Sequence, residues 1–416
     1  MGHRTYFTIC SVNYLAYALT LGRSLRAAHP GADFRIVIAD SDTALTQAGP
    51  IEFPVVTPAD LGLDMLPDMS LRYSVMEFNT ALKPFALRHF LAEPATSQAI
   101  FLDPDILVVS AFEELFDLLD TDGVDGALTP HACVPPGDDA AIDDIRLLRT
   151  GAYNLGFCAF VDTPATARFL DWWATRLSTQ CIVDLEAGLF VDQKFMDLAP
   201  SYLAGLRVFS HPGYNAAYWN LAHRPITRDD KGDWHAAGSV LRFFHFSGVA
   251  PEDRDVFSRH QTRYQAGQLG ALRSLLDTYL ERINDADHNR YESIAYGFDT
   301  YGDIRLDPFV RRVYRHAYPE PPEASPRPTE LTALCRAPSG FPGLNRYCAE
   351  VWESRPDLQR AFPLNSPAGR RAFRAWLYSH GLDEHRLQPG FLPARTWLDQ
   401  LYDRTADKVR RLRAAV

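Results

Sequence analysis

The chain is short of the features that would place it quickly. Its six cysteines, Cys10, Cys133, Cys158, Cys181, Cys335 and Cys348, are scattered through 416 residues without a close pair of the metal-binding kind. Three of them, Cys10, Cys158 and Cys181, lie in apolar segments, so they read as reduced core thiols of a cytosolic protein. No apolar run approaches the roughly 20 residues that cross a bilayer. The N-terminus carries no basic stretch followed by an apolar block, so neither secretion nor a transmembrane anchor is expected. Basic residues are also in deficit, 42 against 52 acidic ones, for a formal charge of −10. That balance excludes a general nucleic-acid binder, which would need clustered Lys and Arg against phosphates. Neither an internal repeat nor a low-complexity tract is evident.

What is present is ordinary globular material, 46% apolar and 12% aromatic, in a chain long enough for a large core and one smaller appendage. Strands and helices alternate over the first two thirds. "TYFTICSV" (5–12) reads as a strand, the stripe of Leu15, Leu19 and Leu25 as a helix ended by Pro30 and Gly31, and "DFRIVIAD" (33–40) as a second strand. Strand, helix, strand at this spacing predicts a right-handed crossover and an α/β fold with a mostly parallel sheet. A helix over 79–91 leads into the strand "AIFL" (99–102). Strands follow at 126–131 and 153–161, then a helix over about 164–177, a short helix in "FVDQKFMDLA", and strands at "GLRVFS" and 240–248. Near residue 320 the texture changes. "YPEPPEASPRPTE" (318–330) reads as an extended linker, and the amphipathic patterns beyond it as a small helical unit. The expected organisation is a large α/β domain over 1–317, a linker over 318–330 and a helical unit over 331–416.

The segment "AIFLDPDILVV" (99–109) sets two aspartates, Asp103 and Asp105, at the end of a buried-type strand. An unpaired buried carboxylate is costly, so the pair must reach solvent, a cation or hydrogen-bond donors. In an open parallel sheet, ligands bind beyond the carboxyl ends of the strands. Two carboxylates one residue apart suit a hard cation, and such a cation could neutralise a departing diphosphate. The alternative is a strand-end turn in which one Asp caps the next helix and the other is solvated.

Five segments in order, "CSVNYLAYALTLGRSL", "AIFLDPDILVV", "YNLGF", "FVDQKF" and "FFHFSG", together resemble the retaining, metal-dependent GT-A glycosyltransferases of the glycogenin and bacterial lipooligosaccharide galactosyltransferase type. The likeness covers roughly residues 5–250, and "HPGYNAAYWNL" brings it closer to a bacterial surface-glycan branch. "RPDLQRAF" and "AWLYSHG" resemble a helical module that accompanies bacterial glycosyltransferases. The resemblance implies a GT-A, Rossmann-like sheet, a nucleotide-sugar donor, and a glycan, lipid-linked glycan or glycoprotein acceptor. It makes Asp103, Asp105 and His245 the metal ligands, with manganese preferred and magnesium the alternative, and gives Gly248 a close backbone approach. Asn154 would bind donor-sugar hydroxyls, and Asp192 and Gln193 would be the catalytic pair near the anomeric carbon. Lys83 would contact the donor, and Asn13 and Tyr14 would receive the nucleotide. Tyr214, Asn215, Trp219 and Asn220 would face acceptor or sugar. Each has a plainer alternative: core histidine, turn-forming asparagine, solvated lysine or packing aromatic.

The sequence departs from that pattern at two places. Ser11 and Val12 stand where related enzymes carry acidic residues that read uracil, and Pro251 stands near an expected lysine, with Arg254 the nearest substitute. The basic run "DKVRRLRAAV" at the C-terminus admits contact with an anionic membrane surface, or is an ordinary solvated helix end. The expected location is cytoplasmic, at the inner face of the membrane if that contact is made. Two other classes stay open, a non-catalytic sugar-binding or scaffold protein with a GT-A shell, and a haloacid-dehalogenase-type phosphatase using "FLDPDILVV".

Overall fold

The computed structural model describes residues 3–135 and 143–395; the basic C-terminal run lies outside them. The chain forms two compact units, one of residues 1–69 and 75–297, the other of 70–74 and 298 onward.

The first unit is built on β1 (His3–Cys10), β2 (Asp33–Ile38), β3 (Val55–Val56), β4 (Thr96–Leu102), β5 (Ile106–Val108), β6 (Gly126–Pro130) and β7 (Tyr153–Val161). A seven-stranded sheet runs, from one edge to the other, strand Leu206–Val208, β6, β7, β4, β1, β2, β3. The pairs of β1 with β2 and β4, of β2 with β3, and of strand Leu206–Val208 with β6 are parallel. β7 is antiparallel to both its neighbours. The sheet is therefore the mixed, mostly parallel one expected, flanked by helices. Because β1 and β4 lie at its centre, their apolar runs are buried on both faces, Phe7, Ile100, Phe101 and Leu102 among them. Near-continuous apolar strands of this kind are the signature of a sheet covered on both sides.

Helix Leu15–Ala28 forms as the leucine stripe predicts, with Leu15, Leu19, Leu21 and Leu25 buried against the sheet. The helix expected over 79–91 is two, Val75–Ala81 and Lys83–Leu91, the second starting with Pro84 in its first turn. There the missing N–H of proline is harmless. β5 pairs antiparallel with the short strand Phe243–His245, outside the main sheet, in a register that sets Ile106 opposite His245. The strand expected over 240–248 is thus cut to three residues.

In the second unit, helices Pro308–Ala317, Pro328–Arg336, Arg346–Glu353, Pro356–Ala361 and Pro367–Trp376 surround a core that includes Val310, Tyr314, Leu331, Cys335, Tyr347 and Phe373. Four of these helices open on proline. Within the stretch read as linker, 318–327 is non-helical and only Pro328 opens a helix, the N1 position that proline favours. The division between units falls at 297/298, ahead of the expected boundary at 317/318. Helix Pro308–Ala317 buries Val310, Val313 and Tyr314 in the second core, and Arg311 donates to the carbonyls of Ser70 (2.6 Å), Phe298 (2.7 Å) and Leu306 (3.0 Å). None of the six cysteines is in a disulfide. No helix among the described residues is long and apolar enough to cross a membrane.

Candidate functional site

The central strand β4 ends at Leu102, and the chain turns at once. The Asp103 amide donates to the Gly156 carbonyl (2.8 Å), the Ile106 amide donates back to the Asp103 carbonyl (3.2 Å), and the Phe246 amide donates to the Asp105 carbonyl (2.9 Å). These bonds fix both aspartates at the strand's carboxyl end, and the pairing of β5 with Phe243–His245 delivers the imidazole to them. His245 Nε2 lies 3.0 Å from Asp105 Oδ1 and 3.8 Å from Asp103 Oδ2. One ligand atom from each of the three falls within 4.8 Å of the other two. The His245 side chain is 3% exposed, whereas Asp105 and Asp103 keep 19% and 30%, so the cluster opens to solvent through its carboxylates.

The electrostatics follow from this crowding. Burial, with the charges of Asp105 and Asp192, lifts Asp103 to about 6 against the pull of Lys83 and His245. For Asp105, burial is outweighed by the adjoining His245, which holds the carboxyl below its usual range. His245 is buried too, yet the carboxylate of Asp105 keeps its imidazole above the ordinary histidine range. The donor set fits a divalent cation. Ligands at cis positions of an octahedral ion with ~2.1 Å bonds lie about 3 Å apart, which is the His245–Asp105 separation.

Behind Asp103 lies a buried ion pair. Lys83 Nζ donates to Asp192 Oδ2 (2.7 Å) and to the Leu155 carbonyl (2.7 Å), and stands 4.0 Å from Asp103 Oδ1. Burial works against the charge on Lys83, but the carboxylates of Asp192 and Asp103 hold it above the usual lysine range. Asp192 itself is raised by burial despite Lys83. The 2.7 Å contact is that of a charge-assisted bond, and an ionised pair is the reading we adopt. Val191, just before Asp192, has φ of 43°, a conformation that costs a β-branched residue roughly 1–3 kcal/mol. Gln193 accepts from the Leu155 amide (3.3 Å) and donates to the Thr150 carbonyl (2.8 Å). The expected catalytic pair is therefore buried, with both side chains engaged inside the protein.

The "HPGYNAAYWNL" segment also turns inward. Tyr214 is fully buried, its hydroxyl donating to Glu114 (3.1 Å) and accepting the Leu115 amide (3.2 Å). Asn220 caps the Ala217 amide and donates to the carbonyls of Asn215 and His131, while Asn215 bonds Thr129, Asn154 and His245. The outward sugar contacts expected of Tyr214, Asn215 and Asn220 are not where these side chains point; satisfying buried polar groups took precedence. Trp219 packs edge-on to the His245 ring at 5.0 Å.

In the first loop, Tyr14 is 46% exposed and stacked on Tyr17 at 4.7 Å, and Asn13 Oδ1 accepts from Ser11 Oγ (2.5 Å). Beneath this loop Asp40 accepts the amides of Val12 (3.1 Å), Ser41 (2.8 Å) and Gly297 (2.8 Å). Gly248 adopts φ of 73°, and a Cβ there would lie 2.5 Å from the His260 ring. Its glycine is thus required by the turn and by His260. Arg254 is exposed, and it is the Arg259 amide that donates to the Gly248 carbonyl (2.8 Å). A cavity of about 630 Å³, lined by Leu63, Phe85, Arg88, His89 and Leu170 among others, contains none of the clustered residues. Sequence reasoning missed Asp40, His131 and Thr129. His131, the last residue of "GALTPH", had the strand end as its only signal.

No protein-family model matches the chain. It is 25% identical to the uncharacterised protein YfnF of Bacillus subtilis (strain 168) over 246 residues, 58% of this chain and 80% of that protein. To the uncharacterised protein YfnD of the same organism it is 29% identical over 102 residues, 24% of this chain and 32% of that one. Among solved structures it is similar to the galactosyltransferase LgtC in complex with donor and acceptor sugar analogues, at 17% identity over 68% of this chain and 95% of that one, with a TM-score of 0.39. It is likewise similar to the apo form of the glycosyltransferase GlyE of Streptococcus pneumoniae TIGR4, at 11% identity over 70% of this chain and 64% of that one, with a TM-score of 0.38.

Proposed function

We propose that the chain is a metal-dependent GT-A glycosyltransferase that moves a sugar, with retention, from a nucleotide-sugar donor to a glycan, lipid-linked glycan or glycoprotein acceptor. The observation that carries this reading is the convergence of Asp103, Asp105 and His245 at the carboxyl end of the central strand, in the motif order described above. These three residues would hold a divalent ion, manganese in preference to magnesium. When bound, the ion supplies charge neutralisation for a departing diphosphate.

The protein's own groups have separate tasks. Lys83 adds a fixed positive charge beside Asp103, and Asp192 keeps that ammonium ionised and in place. Gln193 ties the start of β7 to the end of helix Asp144–Thr150, steadying the Asn154 side of the pocket. The exposed ring of Tyr14 can stack on a base, and Ser11 offers a hydroxyl where related enzymes have a carboxylate. The bond from anomeric carbon to diphosphate oxygen breaks, the acceptor oxygen bonds to that carbon on the same face, and the acceptor's proton passes to the leaving phosphate. The helical second unit would serve acceptor selection, and the enzyme would work in the cytoplasm, at the membrane's inner face where the basic C-terminal run makes that contact.

A panel of uridine, guanosine and thymidine diphosphate sugars, assayed for binding and slow hydrolysis with manganese, with magnesium and with chelator, tests the proposal. Chelator-sensitive turnover of one donor, lost in Asp103→Ala and His245→Ala, is expected. Failure to bind any nucleotide in the presence of manganese would refute it, and phosphate release from simple esters would point to the phosphatase class.

A further inference from the structure

The hydrogen bonds around Asn154 allow one assignment of donors and acceptors. The Gly156 backbone amide, which can only donate, lies 3.1 Å from Asn154 Oδ1. This identifies that atom as the carbonyl oxygen, so the Asn154 amide cannot be turned over. The same oxygen is 2.9 Å from an Asn215 side-chain atom, which must therefore be the Nδ2 donor; Nδ2 also reaches Thr129 Oγ1 at 2.8 Å. Asn215 Oδ1 is thereby directed at His245 Nδ1, 3.1 Å away, and an oxygen acceptor there requires Nδ1 to carry a proton. In the other direction, Asn154 Nδ2 stands 3.2 Å from His131 Nε2, which must accept. The backbone of Ala152 and Gly151 hydrogen-bonds the His131 ring in the sense that favours a proton on it, so no second contact opposes that tautomer.

We infer that Asn154 and Asn215 are positioning residues which transmit the direction of one backbone N–H to two histidines, holding a proton of His245 on Nδ1 so that Nε2 is the ring nitrogen reserved for Asp103, Asp105 and any ion they hold, and a proton of His131 likewise on Nδ1. Asn154 is thereby assigned a role beyond the donor-sugar contact expected of it: its oxygen is fully used, and one N–H stays open to a ligand. Gly156 belongs to the same device, because a Cβ there would lie 2.2 Å from His245 Cε1 and 2.8 Å from Asn154 Oδ1. Outer-shell partners that fix a ligand histidine's tautomer are typically worth about 10–100-fold in metal affinity. The inference rests on the metal-site reading for its purpose, but its hydrogen-bond logic stands without metal.

The test uses the full chain with 15N-labelled histidine. Two-bond 1H–15N spectra of the metal-free protein at about pH 8 report which ring nitrogen carries the proton. In the wild type His131 is expected as the Nδ1–H tautomer and His245 with Nδ1 protonated. Asn154→Asp keeps the oxygen that Gly156 and Asn215 need but turns an acceptor toward His131, so His131 should invert to Nε2–H while His245 is unchanged. In parallel, Mn2+ titrations should find Asn154→Asp at or above wild-type affinity and Asn154→Leu, which frees the Asn215 amide to turn, weaker by tenfold or more. A wild-type His131 protonated on Nε2, an uninverted His131 in Asn154→Asp, or undiminished Mn2+ binding by Asn154→Leu would each overturn the inference. Absence of Mn2+ binding in the wild type would sink the transferase reading, and the histidine spectra would still decide the relay.

Discussion

Replacing Lys83 by Met isolates the buried ion pair behind the candidate site. The side chains of Lys83 and Asp192 are 3% and 2% exposed, so water cannot take over when one partner is removed. Met matches the stem in volume, and little packing is lost. What is lost is the 2.7 Å bond to Asp192, the 2.7 Å bond to the Leu155 carbonyl and the ammonium over the Phe101 ring at 4.5 Å. Removing one member of such a pair strands a buried charge, at about 3–5 kcal/mol. Domains of 150–250 residues lose roughly 2–4 °C of Tm per kcal/mol; this unit is larger, so the lower figure applies and a fall of about 6–10 °C is expected. The assay is thermal unfolding by far-UV circular dichroism, with a double-mutant cycle through Asp192→Asn. Because Lys83→Met with Asp192→Asn leaves no charge unpaired, the double variant should recover about 2 kcal/mol relative to Lys83→Met alone. A Tm loss under about 2 °C for Lys83→Met, or a double variant no more stable than the single, would refute the claim that these two charges depend on each other.

Gly156→Ala should lower stability by roughly 1–3 kcal/mol through overpacking, since its Cβ would meet His245; unchanged denaturant midpoints would contradict this. His29 accepts the Phe112 amide on Nε2 (3.2 Å), and burial, with Arg242 and Arg4, holds its pKa down at about 4. The unfolded chain therefore binds the proton first as pH falls below about 6.5, so this contribution is complete above that value and is lost towards pH 4. His29→Gln should lose less stability than the wild type between about pH 7.5 and 5, and identical pH dependence would count against the argument. Trp173, fully buried, should cost about 3–5 kcal/mol as Ala, read from denaturant unfolding. A chain truncated after residue 317 should expose Val310, Val313 and Tyr314, which pack in the second core, and increased binding of a hydrophobic dye relative to the full chain checks this.

The local elements were legible in the sequence because periodicity and punctuation are local. Strand Tyr153–Val161 and helix Pro164–Leu177 follow directly from an apolar run and a Thr163–Pro164 start. The mostly parallel sheet follows from the alternation of strands and helices, and Asp103 and Asp105 were marked by carboxylates at the end of a buried run. That His245 joins Asp103 and Asp105 was implied by resemblance rather than by periodicity, because which distant groups meet depends on pairing and on donor–acceptor accounting across the whole unit. His245 reaches Asp105 only through the pairing of Ile106–Val108 with Phe243–His245. Lys83 and Asp192 found each other because a buried charge needs a partner. Tyr214, Asn215 and Asn220 look like surface recognition residues in a linear string, yet tertiary structure spends them on buried hydrogen bonds. Proline marks an extended stretch and a helix's first turn alike: 318–327 is non-helical while Pro328 opens a helix, and only the apolar faces packed around Tyr314 and Tyr347 distinguish such cases.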